Sequence, residues 1–180
     1  MMTDHVGTLA IDSPVGRILL AACAEGLTHL VFIDREGRPQ HAHRSPEGDR
    51  NAAAARILAE TEKQLREYFA GRRRGFDLPL APQGTEFQKD VWRALSKIPF
   101  GHTISYRDLA LKIGRESATR AVGAANGANP ISIILPCHRV IGADNRLTGY
   151  GGGLPAKKYL LELEGAKLDG DRVVQLAAQN

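Results

Sequence analysis

A cysteine, a histidine and an arginine stand side by side in the stretch NPISIILPCHRVIG, residues 129–142. The thiol of Cys137 is a potential nucleophile, and the imidazole of His138 is a potential base for it. Four of the five residues in 131–135 are apolar, which is typical of a core strand, and Pro136 favours an extended chain before it. The pattern predicts a strand that delivers a nucleophile to a pocket.

A buried structural thiol is the alternative interpretation, since free cysteine behaves as a small hydrophobe. Cys23, inside the apolar run RILLAACA, fits that description. Cys137 differs because His138 and Arg139 would be costly in a purely packed site. From the residues alone, catalysis and packing both stay open for Cys137.

Metal binding is a third possibility. Adjacent Cys137 and His138 lack the loop spacing that lets two ligands share one zinc ion. The other histidines that we considered stand alone or lie in a polar loop without cysteine: His5, His29, His41 and His43. We therefore expect no metal site and no cofactor.

The composition is that of an ordinary globular protein. The chain has 180 residues, of which 43% are hydrophobic and 24% charged, enough for one good core or two small ones. No apolar run approaches the ~20 residues of a membrane span, and the first residues lack the layout of a secretory signal. Two cysteines form no disulfide framework. We expect a cytoplasmic protein with reduced thiols.

The net charge of +4 comes from one part of the chain. Residues 83–165 carry 11 basic and 7 acidic side chains, whereas residues 1–82 carry 11 of each and residues 166–180 carry two of each. The excess is compatible with a polyanionic partner, although the charge signal alone is weak.

The first third of the sequence indicates an antiparallel meander. The apolar runs GTLAI, GRILLAACA and LTHLVFI are separated by the turn segments DSPVG and AEG. A polar loop, 34–51, precedes a helix predicted from about Ala52 to Phe69 and stopped by Gly71. Its predicted core face comprises Ala54, Ile57, Leu58, Thr61, Leu65, Tyr68 and Phe69. A connector follows.

The second half is predicted to be helical. Thr85 and Gln88 fit a capping box that opens a helix. Its predicted core face is Phe87, Val91, Trp92, Leu95 and Ile98. A final helix begins near Pro155 and ends at Gly165.

Between these helices lies a pattern typical of a helix-turn-helix. The segment ISYRDLALKIG has Ser105 as N-cap and Gly114 as terminator, and Ser117 is placed to cap the helix SATRAVGAANGA. Many helical hairpins share this spacing, so the pattern alone is only suggestive.

Four motifs together resemble the O6-alkylguanine-DNA alkyltransferase family. They are NPISIILPCHRVIG, ISYRDLA, RAVGAANGANP and TGYGGGLPAKKYLLELEG. The resemblance extends from about residue 8 to residue 165 and is strongest from residue 87 onward. The signature P-C-H-R-V is highly specific, and the companion motifs lie at fitting separations.

The resemblance implies an α/β (α+β) fold in three parts. A small N-terminal antiparallel sheet with a helix, residues 1–82, would precede a helical C-terminal domain, residues 83–165. That domain would contain a winged helix-turn-helix-like motif and the active-site cysteine. Residues 166–180 would form a tail.

The implied function is DNA repair by alkyl transfer. Members of this family flip O6-alkylguanine, mainly O6-methylguanine, out of duplex DNA and transfer the alkyl group irreversibly to their own cysteine, once per molecule. The implied partner is double-stranded DNA, bound through its minor groove by a protein that is a monomer in solution. No cofactor, membrane or obligate protein partner is implied.

The resemblance also assigns roles at the reaction centre. Cys137 matches the alkyl acceptor. His138 matches a histidine that reaches the thiol through a water molecule, and Glu164 matches the carboxylate behind it. Asn129 matches an asparagine hinge between the recognition helix and the cysteine segment.

Further residues match the substrate and DNA contacts of the family. Tyr106 matches a tyrosine that helps rotate the phosphate and donates to the flipped guanine, and Tyr150 lines the alkyl pocket. The backbone carbonyls of Cys137 and Val140, with the Gly151 amide, would read the guanine edge. At Gly151 some relatives carry serine, so the preferred alkyl group stays open.

The implied recognition helix approaches the DNA backbone through small residues. These are Ala118, Ala121, Gly123, Ala124 and Ala125. Arg120 matches an arginine finger that fills the place of the flipped base. Its alternative role is an ordinary phosphate contact.

Two other classes of function compete with alkyl transfer. A DNA-binding module without chemistry would carry another residue at position 137. A cysteine hydrolase would need direct hydrogen bonding between Cys137 and His138, which is awkward for neighbours, and it would not explain the basic helical segment.

Overall fold

In the computed structural model, which describes residues 7–39 and 52–176, the chain divides into two units between Gln83 and Gly84. The interpretations given for His5, His41 and His43 lie outside the described residues, as does most of the loop 34–51.

The first unit begins with three antiparallel strands, β1 (Gly7–Ser13), β2 (Gly16–Ala22) and β3 (Leu27–Phe32), in the spatial order β1-β2-β3. The first pair runs from Gly7 opposite Ala22 to Ser13 opposite Gly16, so the chain reverses in a tight turn. Cys23 is buried after β2, as predicted. The predicted meander is confirmed, because the three strands pair antiparallel in the order in which they follow one another in the sequence.

Helix α1 (Ala52–Phe69) has the predicted bounds and packs on β1 and β2. Gly71 ends it with a φ of 70°, a conformation that favours glycine. Its buried residues are Ala54, Leu58, Thr61, Gln64, Leu65 and Tyr68. The apolar periodicity identified five of these six residues and omitted Gln64, whereas Ile57 and Phe69, which it also assigned to the core face, are only partly buried.

Gln64 is buried because its side-chain amide pairs with the backbone of the segment that follows the helix, as a neighbouring strand would. Its Nε2 donates to the Asp77 carbonyl and its Oε1 accepts from the Asp77 amide, both at 2.9 Å. The Nε2 also donates to Glu60 at 2.8 Å. Part of the predicted connector is therefore fixed to α1 by one side chain.

The second unit starts with helix α2 (Glu86–Leu95). The predicted capping box is confirmed: the Gln88 amide donates to Thr85 Oγ1 at 3.2 Å, and the Thr85 amide donates to Gln88 Oε1 at 2.9 Å. Trp92 is buried on the inner face, and its indole N–H donates to the Ala125 carbonyl at 2.9 Å. That bond ties α2 to a helix further along the chain.

Two helices of the second unit, α3 (Tyr106–Lys112) and α4 (Thr119–Gly127), pack against each other. Ser105 caps α3 as predicted, and Gly114 follows it with a φ of 67°. The cap predicted at Ser117 is wrong. Ser117 lies inside a 3-10 turn, whereas a capping residue has an extended backbone. Whether this pair acts as a helix-turn-helix stays a prediction.

The strand predicted before Cys137 is also wrong. Residues 132–134 form a turn, in which the Leu135 amide donates to the Ile131 carbonyl at 3.0 Å, and Ile133 adopts a φ of 72°. Cys137 opens a 3-10 helix, Cys137–Arg139. A short buried apolar run has no period that separates a strand from a packed turn.

This 3-10 helix leads into the second strand of a parallel pair, in which each strand has two residues. Strand β4 (Ile104–Ser105) lies just before α3, and β5 (Val140–Ile141) pairs with it. The pairing brings the start of α3 beside the cysteine segment.

Helix α5 (Leu154–Leu163) ends before Gly165, in agreement with the predicted final helix. A hairpin follows, formed by β6 (Lys167–Asp169) and β7 (Arg172–Gln175). Ala166 and Val173 are buried in one cluster with Ile141, Leu147 and Leu161. Much of the segment assigned to a tail therefore packs on the second unit.

The architecture confirms the mixed α/β class, with a small antiparallel sheet in the first unit and mostly helices in the second. Within the described residues, no helix has the length and apolar character needed to span a bilayer.

Replacing Gln64 with leucine should destabilise the first unit by about 1–3 kcal/mol, because the Asp77 amide and carbonyl lose their side-chain partners. Urea denaturation followed by circular dichroism measures the change. Lys63→Gln, at the exposed neighbouring position, is the control and should change stability by less than about 0.5 kcal/mol. An unchanged midpoint in Gln64→Leu would show that water replaces the amide at no cost.

Candidate active site

Cys137 lies at the start of the 3-10 helix and is 5% exposed. Burial raises the pKa of its thiol. This shift is only partly opposed by hydrogen bonds with Asn129 and Ser132 and by the charge of Lys157. The resting side chain is therefore a neutral thiol. A thiolate, unlike a thiol, is a strong nucleophile, so a reactive Cys137 would need a base that removes its proton.

Asn129 holds the turn that precedes the cysteine. Its Nδ2 donates to the Leu135 carbonyl at 2.7 Å, and its Oδ1 accepts from the Ile131 amide at 2.9 Å. These bonds satisfy buried backbone groups that a strand would have paired. They connect the end of α4 to the segment that carries Cys137.

His138 is completely buried, and its two ring nitrogens have different surroundings. The Nε2 lies 2.8 Å from Glu164 Oε1. The Nδ1 is buried and has no hydrogen-bond partner within residues 7–39 and 52–176. Burial lowers the pKa of His138, while Glu164 opposes that shift. A neutral imidazole that donates through Nε2 has its free electron pair on Nδ1.

The neighbours Cys137 and His138 do not diverge in the way expected for an extended chain. Both belong to a 3-10 helix, in which successive side chains point about 120° apart. The two side chains therefore still point in different directions, because they lie on different sides of a helical turn.

Glu164 caps the C-terminal end of α5 and is 1% exposed, which excludes a surface charge. Its Oε2 accepts from Arg139 Nε at 2.9 Å and from the Gly101 amide at 3.1 Å. Its Oε1 accepts from Arg139 Nη2 at 2.9 Å as well as from His138. Burial alone would raise the pKa of Glu164, but the interactions with His138 and Arg139 outweigh it and hold that pKa below its usual range.

Arg139 received no role from sequence reasoning, although it belongs to the motif. Its Nη1 donates to the Ile98 carbonyl at 2.5 Å, and its guanidinium carbon lies 5.9 Å from the centre of the Phe100 ring. The side chain is thus paired with Glu164 on one edge and with backbone on the other.

Lys157 is a second residue that sequence reasoning missed. It is fully buried, and its ammonium donates to the Val140 carbonyl at 2.6 Å and to the Thr148 carbonyl at 3.0 Å. Burial lowers its pKa to about 8. The helical spacing could have predicted this burial, because Lys157 shares a face of α5 with Leu160 and Glu164.

The residues matched to guanine binding lie around this network. Tyr106 Oη and Thr148 Oγ1 are 2.8 Å apart, and the Val140 carbonyl accepts from the buried lysine. The Tyr150 ring packs edge-on against His138, with centroids 6.4 Å apart. Gly151 follows Tyr150 and is partly exposed. Thr148 was not foreseen as a partner of Tyr106.

The residues matched to DNA binding lie on α4. Arg120, Ala121 and Ala124 are exposed, and a side chain added at Gly123 would meet the Tyr106 ring, 3.7 Å away. The expectation that Ala125 leaves room for DNA is wrong, because Ala125 is buried. Its position on the helix turns it toward α2.

In the part of the chain that the structure describes, no three side chains of histidine, cysteine, aspartate or glutamate come together as metal ligands would.

Two family models match the two units. The model described as "6-O-methylguanine DNA methyltransferase, ribonuclease-like domain" matches residues 8–82. The model described as "6-O-methylguanine DNA methyltransferase, DNA binding domain" matches residues 86–166. Together they account for most of the chain.

Relatives of similar length share almost half of the sequence. A methylated-DNA–protein-cysteine methyltransferase from Methanosarcina barkeri is 49% identical over 154 residues, which cover 86% of this chain and 94% of the relative. One with the same name from Mycobacterium tuberculosis is 47% identical over 161 residues, covering 89% and 93%.

Solved structures agree with the sequence matches. The crystal structure of the M. tuberculosis O6-methylguanine methyltransferase is similar with a TM-score of 0.75 and 45% identity, covering 92% of this chain and 96% of that one. A structure of the M. tuberculosis protein in complex with DNA has a TM-score of 0.73 and 47% identity, covering 89% and 92%. On these matches to both units, the chain belongs to the 6-O-methylguanine DNA methyltransferase family.

Proposed function

We propose that this protein repairs O6-alkylguanine, mainly O6-methylguanine, in double-stranded DNA by transferring the alkyl group to Cys137. The observation that carries the proposal is the buried thiol of Cys137 next to the paired side chains of His138 and Glu164. The names of the relatives and the DNA complex of one of them support the same substrate class.

The reaction starts from the neutral thiol. A water molecule carries its proton to Nδ1 of His138, the ring nitrogen that has no hydrogen-bond partner among the described residues. The sulfur then attacks the alkyl carbon, the bond from that carbon to O6 breaks, and guanine leaves with one added proton. The product is a thioether on Cys137.

Transfer is stoichiometric in this proposal. A thioether is stable, and the only other cysteine of the sequence is Cys23. Cys23 is buried in the first unit, where burial raises the pKa of its thiol. Each molecule therefore reacts once.

The target base enters the site from the minor groove after leaving the duplex. Tyr106 donates to the flipped guanine, the Val140 carbonyl and the Gly151 amide read its edge, and Tyr150 lines the alkyl pocket. The small residues Ala121, Gly123 and Ala124 allow α4 to approach the DNA backbone, while Arg120 replaces the flipped base in the stack.

The competing functions fit the site less well. A cysteine hydrolase needs the sulfur in direct hydrogen-bond contact with its base, whereas Nδ1 of His138 has no hydrogen-bond partner within the described residues and Nε2 is bound to Glu164. A pure DNA-binding module gives no reason for a buried thiol beside a buried histidine and carboxylate. Mass spectrometry of intact protein after incubation with methylated DNA separates the three functions by the presence and stability of an adduct.

The substitution Cys137→Ser should abolish methyl transfer and leave DNA binding intact, because serine is nearly isosteric and removes only the thiol. The measurement is the mass of the protein after incubation with DNA that contains O6-methylguanine. Cys23→Ser is the matched control and should still gain one methyl group, with some loss of stability from a buried hydroxyl. A methyl group found on the Cys137→Ser variant would refute the assigned acceptor.

The substitution Glu164→Gln should slow transfer by about 10²-fold without preventing it, since the amide orients His138 but does not stabilise its charged form. It should also cost about 3–5 kcal/mol of stability, because Arg139 loses its buried counter-charge. Single-turnover rates are compared at a temperature where the variant is folded.

Glu162→Gln is the matched control, since Glu162 lies on the same helix in an exposed pair with Lys158. Its rate should equal that of the wild type. A wild-type rate in Glu164→Gln would mean that this carboxylate serves the fold and not the proton transfer.

The substitution Arg120→Ala should slow repair of duplex DNA by about two or three decades, because unstacking a base costs a few kcal/mol. The slower reaction with free O6-alkylguanine should change little, since the free base needs no flipping. Single-turnover rates on both substrates at saturating protein measure the difference.

Arg115→Ala, in the turn before α4, is the control for an exposed cation. A mere phosphate contact would weaken binding and its salt dependence but leave the saturated rate unchanged. If Arg120→Ala behaves like that, or loses activity equally on both substrates, the finger role is wrong.

A further inference from the structure

We propose that Arg139 is a positioning residue for alkyl transfer, because its grip on Glu164 makes Nδ1 of His138 the atom that receives the Cys137 proton. The inference rests on the proposed function and adds a residue to it. Arg139 does not touch the substrate or the reacting atoms in this proposal; it acts through Glu164.

The first step concerns the carboxylate. Each oxygen of Glu164 accepts one hydrogen bond from the Arg139 guanidinium, in a two-pronged arrangement with both distances at 2.9 Å. The Gly101 amide adds a third donor at 3.1 Å. A guanidinium has no acceptor and does not lose its proton in proteins, and a peptide N–H has no acceptor either. Arg139 and Gly101 therefore offer Glu164 three donors and no acceptor, which favours the ionised carboxylate.

The second step concerns the imidazole. An ionised carboxylate only accepts hydrogen bonds, so the contact of 2.8 Å between His138 Nε2 and Glu164 Oε1 requires the hydrogen on Nε2. A neutral ring with its hydrogen on Nε2 carries the free electron pair on Nδ1. Arg139 thus selects the tautomer of His138 without touching the nitrogen that reacts.

The third step concerns how Arg139 itself is held. Its remaining prong donates to the Ile98 carbonyl, and its guanidinium lies over the Phe100 ring. The side chain is buried, with both edges used. A lysine at this position would keep the charge but lose the two-pronged geometry, because an ammonium is a point donor.

The fourth step is the proton balance. The thiol proton moves through a water molecule to Nδ1 of His138, and the sulfur then bonds to the alkyl carbon. The bond from that carbon to O6 breaks, and the guanine anion takes the proton from His138. If Glu164 were free to take the second imidazole proton, the charge would move away from the sulfur. With Arg139 in place, the proton stays on Nδ1 of His138, one water away from the reacting atoms, until the guanine anion takes it.

The charged and titratable groups around His138 come from three places. Arg139 and Cys137 flank it in the 3-10 helix, Lys157 and Glu164 face it from α5, and the Tyr150 ring packs against it. Burial lowers the pKa of His138, Arg139 and Lys157 add to that effect, and Glu164 opposes it. Removing the charge of Arg139 therefore raises the pKa of His138 and leaves less neutral base at low pH.

The test is the pH profile of the single-turnover rate on saturating duplex substrate. Arg139→Gln should lose at least about tenfold more activity at about pH 6 than at about pH 8.5, because its base is protonated at the lower pH. Arg139→Lys should be slower than wild type by a factor that changes little with pH. Arg93→Gln removes an exposed arginine paired with Asp90 and should match the wild type.

A residue that only stabilises the fold gives another result. Its loss would reduce the rate of the glutamine variant by the same factor at every pH, or would leave the folded fraction with a wild-type profile. Either outcome would overturn the proposal.

A measurement on the unmodified protein keeps the proposal testable if Arg139→Gln does not fold. Nitrogen NMR of the full chain with labelled histidine, assigned with His138→Gln, reports which ring nitrogen carries hydrogen. We expect His138 to be neutral at about pH 7 with its hydrogen on Nε2. A hydrogen on Nδ1, or a charged ring, would overturn the inference. Because NMR needs no substrate, its result is separate from the acceptor test on Cys137.

Discussion

The buried carboxylate of Glu164 is the constraint on which the rest of the reaction centre depends. An ionised group removed from water must be paired and hydrogen-bonded, and the site supplies nitrogen donors from three residues. Arg139 and His138 come from the 3-10 helix, and the Gly101 amide comes from the segment before β4. Satisfying one charge therefore fixes the end of α5 against two other parts of the chain.

In the proposed mechanism, this arrangement makes a buried thiol compatible with reactivity. Burial keeps Cys137 protonated and so protects it from unwanted reactions in solution, at the expense of nucleophilicity. A neutral base whose free electron pair is held in place makes the sulfur nucleophilic only when it accepts the thiol proton. In our proposal the pairing of Glu164 and Arg139 creates that base from His138.

The reaction centre is also connected to the helix assigned to DNA. Asn129 lies two residues after the end of α4 and donates a hydrogen bond to the turn before Cys137. Gly123 of α4 lies against the Tyr106 ring. Tyr106 in turn contacts Thr148, whose carbonyl accepts from the buried ammonium of Lys157. The same ammonium holds the Val140 carbonyl. A displacement of α4 would reach the proposed guanine contacts through two or three bonds, which gives DNA binding a physical route to the site.

The sequence by itself determined the local features. Turn residues bounded the strands of the first unit, Thr85 with Gln88 and Ser105 alone marked two helix starts, and four motifs, one of them around Cys137, indicated the family. Turns and helix caps depend on residues within about four positions of one another, so they can be predicted from the sequence alone. Local patterns failed where the backbone finds its partners in side chains, as in the turn at Ile133, which the periodicity predicted to be a strand.

Only the tertiary structure decided which polar side chains are buried and with whom. Gln64, Arg139 and Lys157 have the composition of surface residues, yet each lies inside because backbone or charged partners distant in sequence satisfy its hydrogen bonds. The partners of Arg139, for example, are 41 and 25 residues away along the chain. A hydrogen bond over such a separation leaves no periodic trace, because its geometry exists only after the elements have packed.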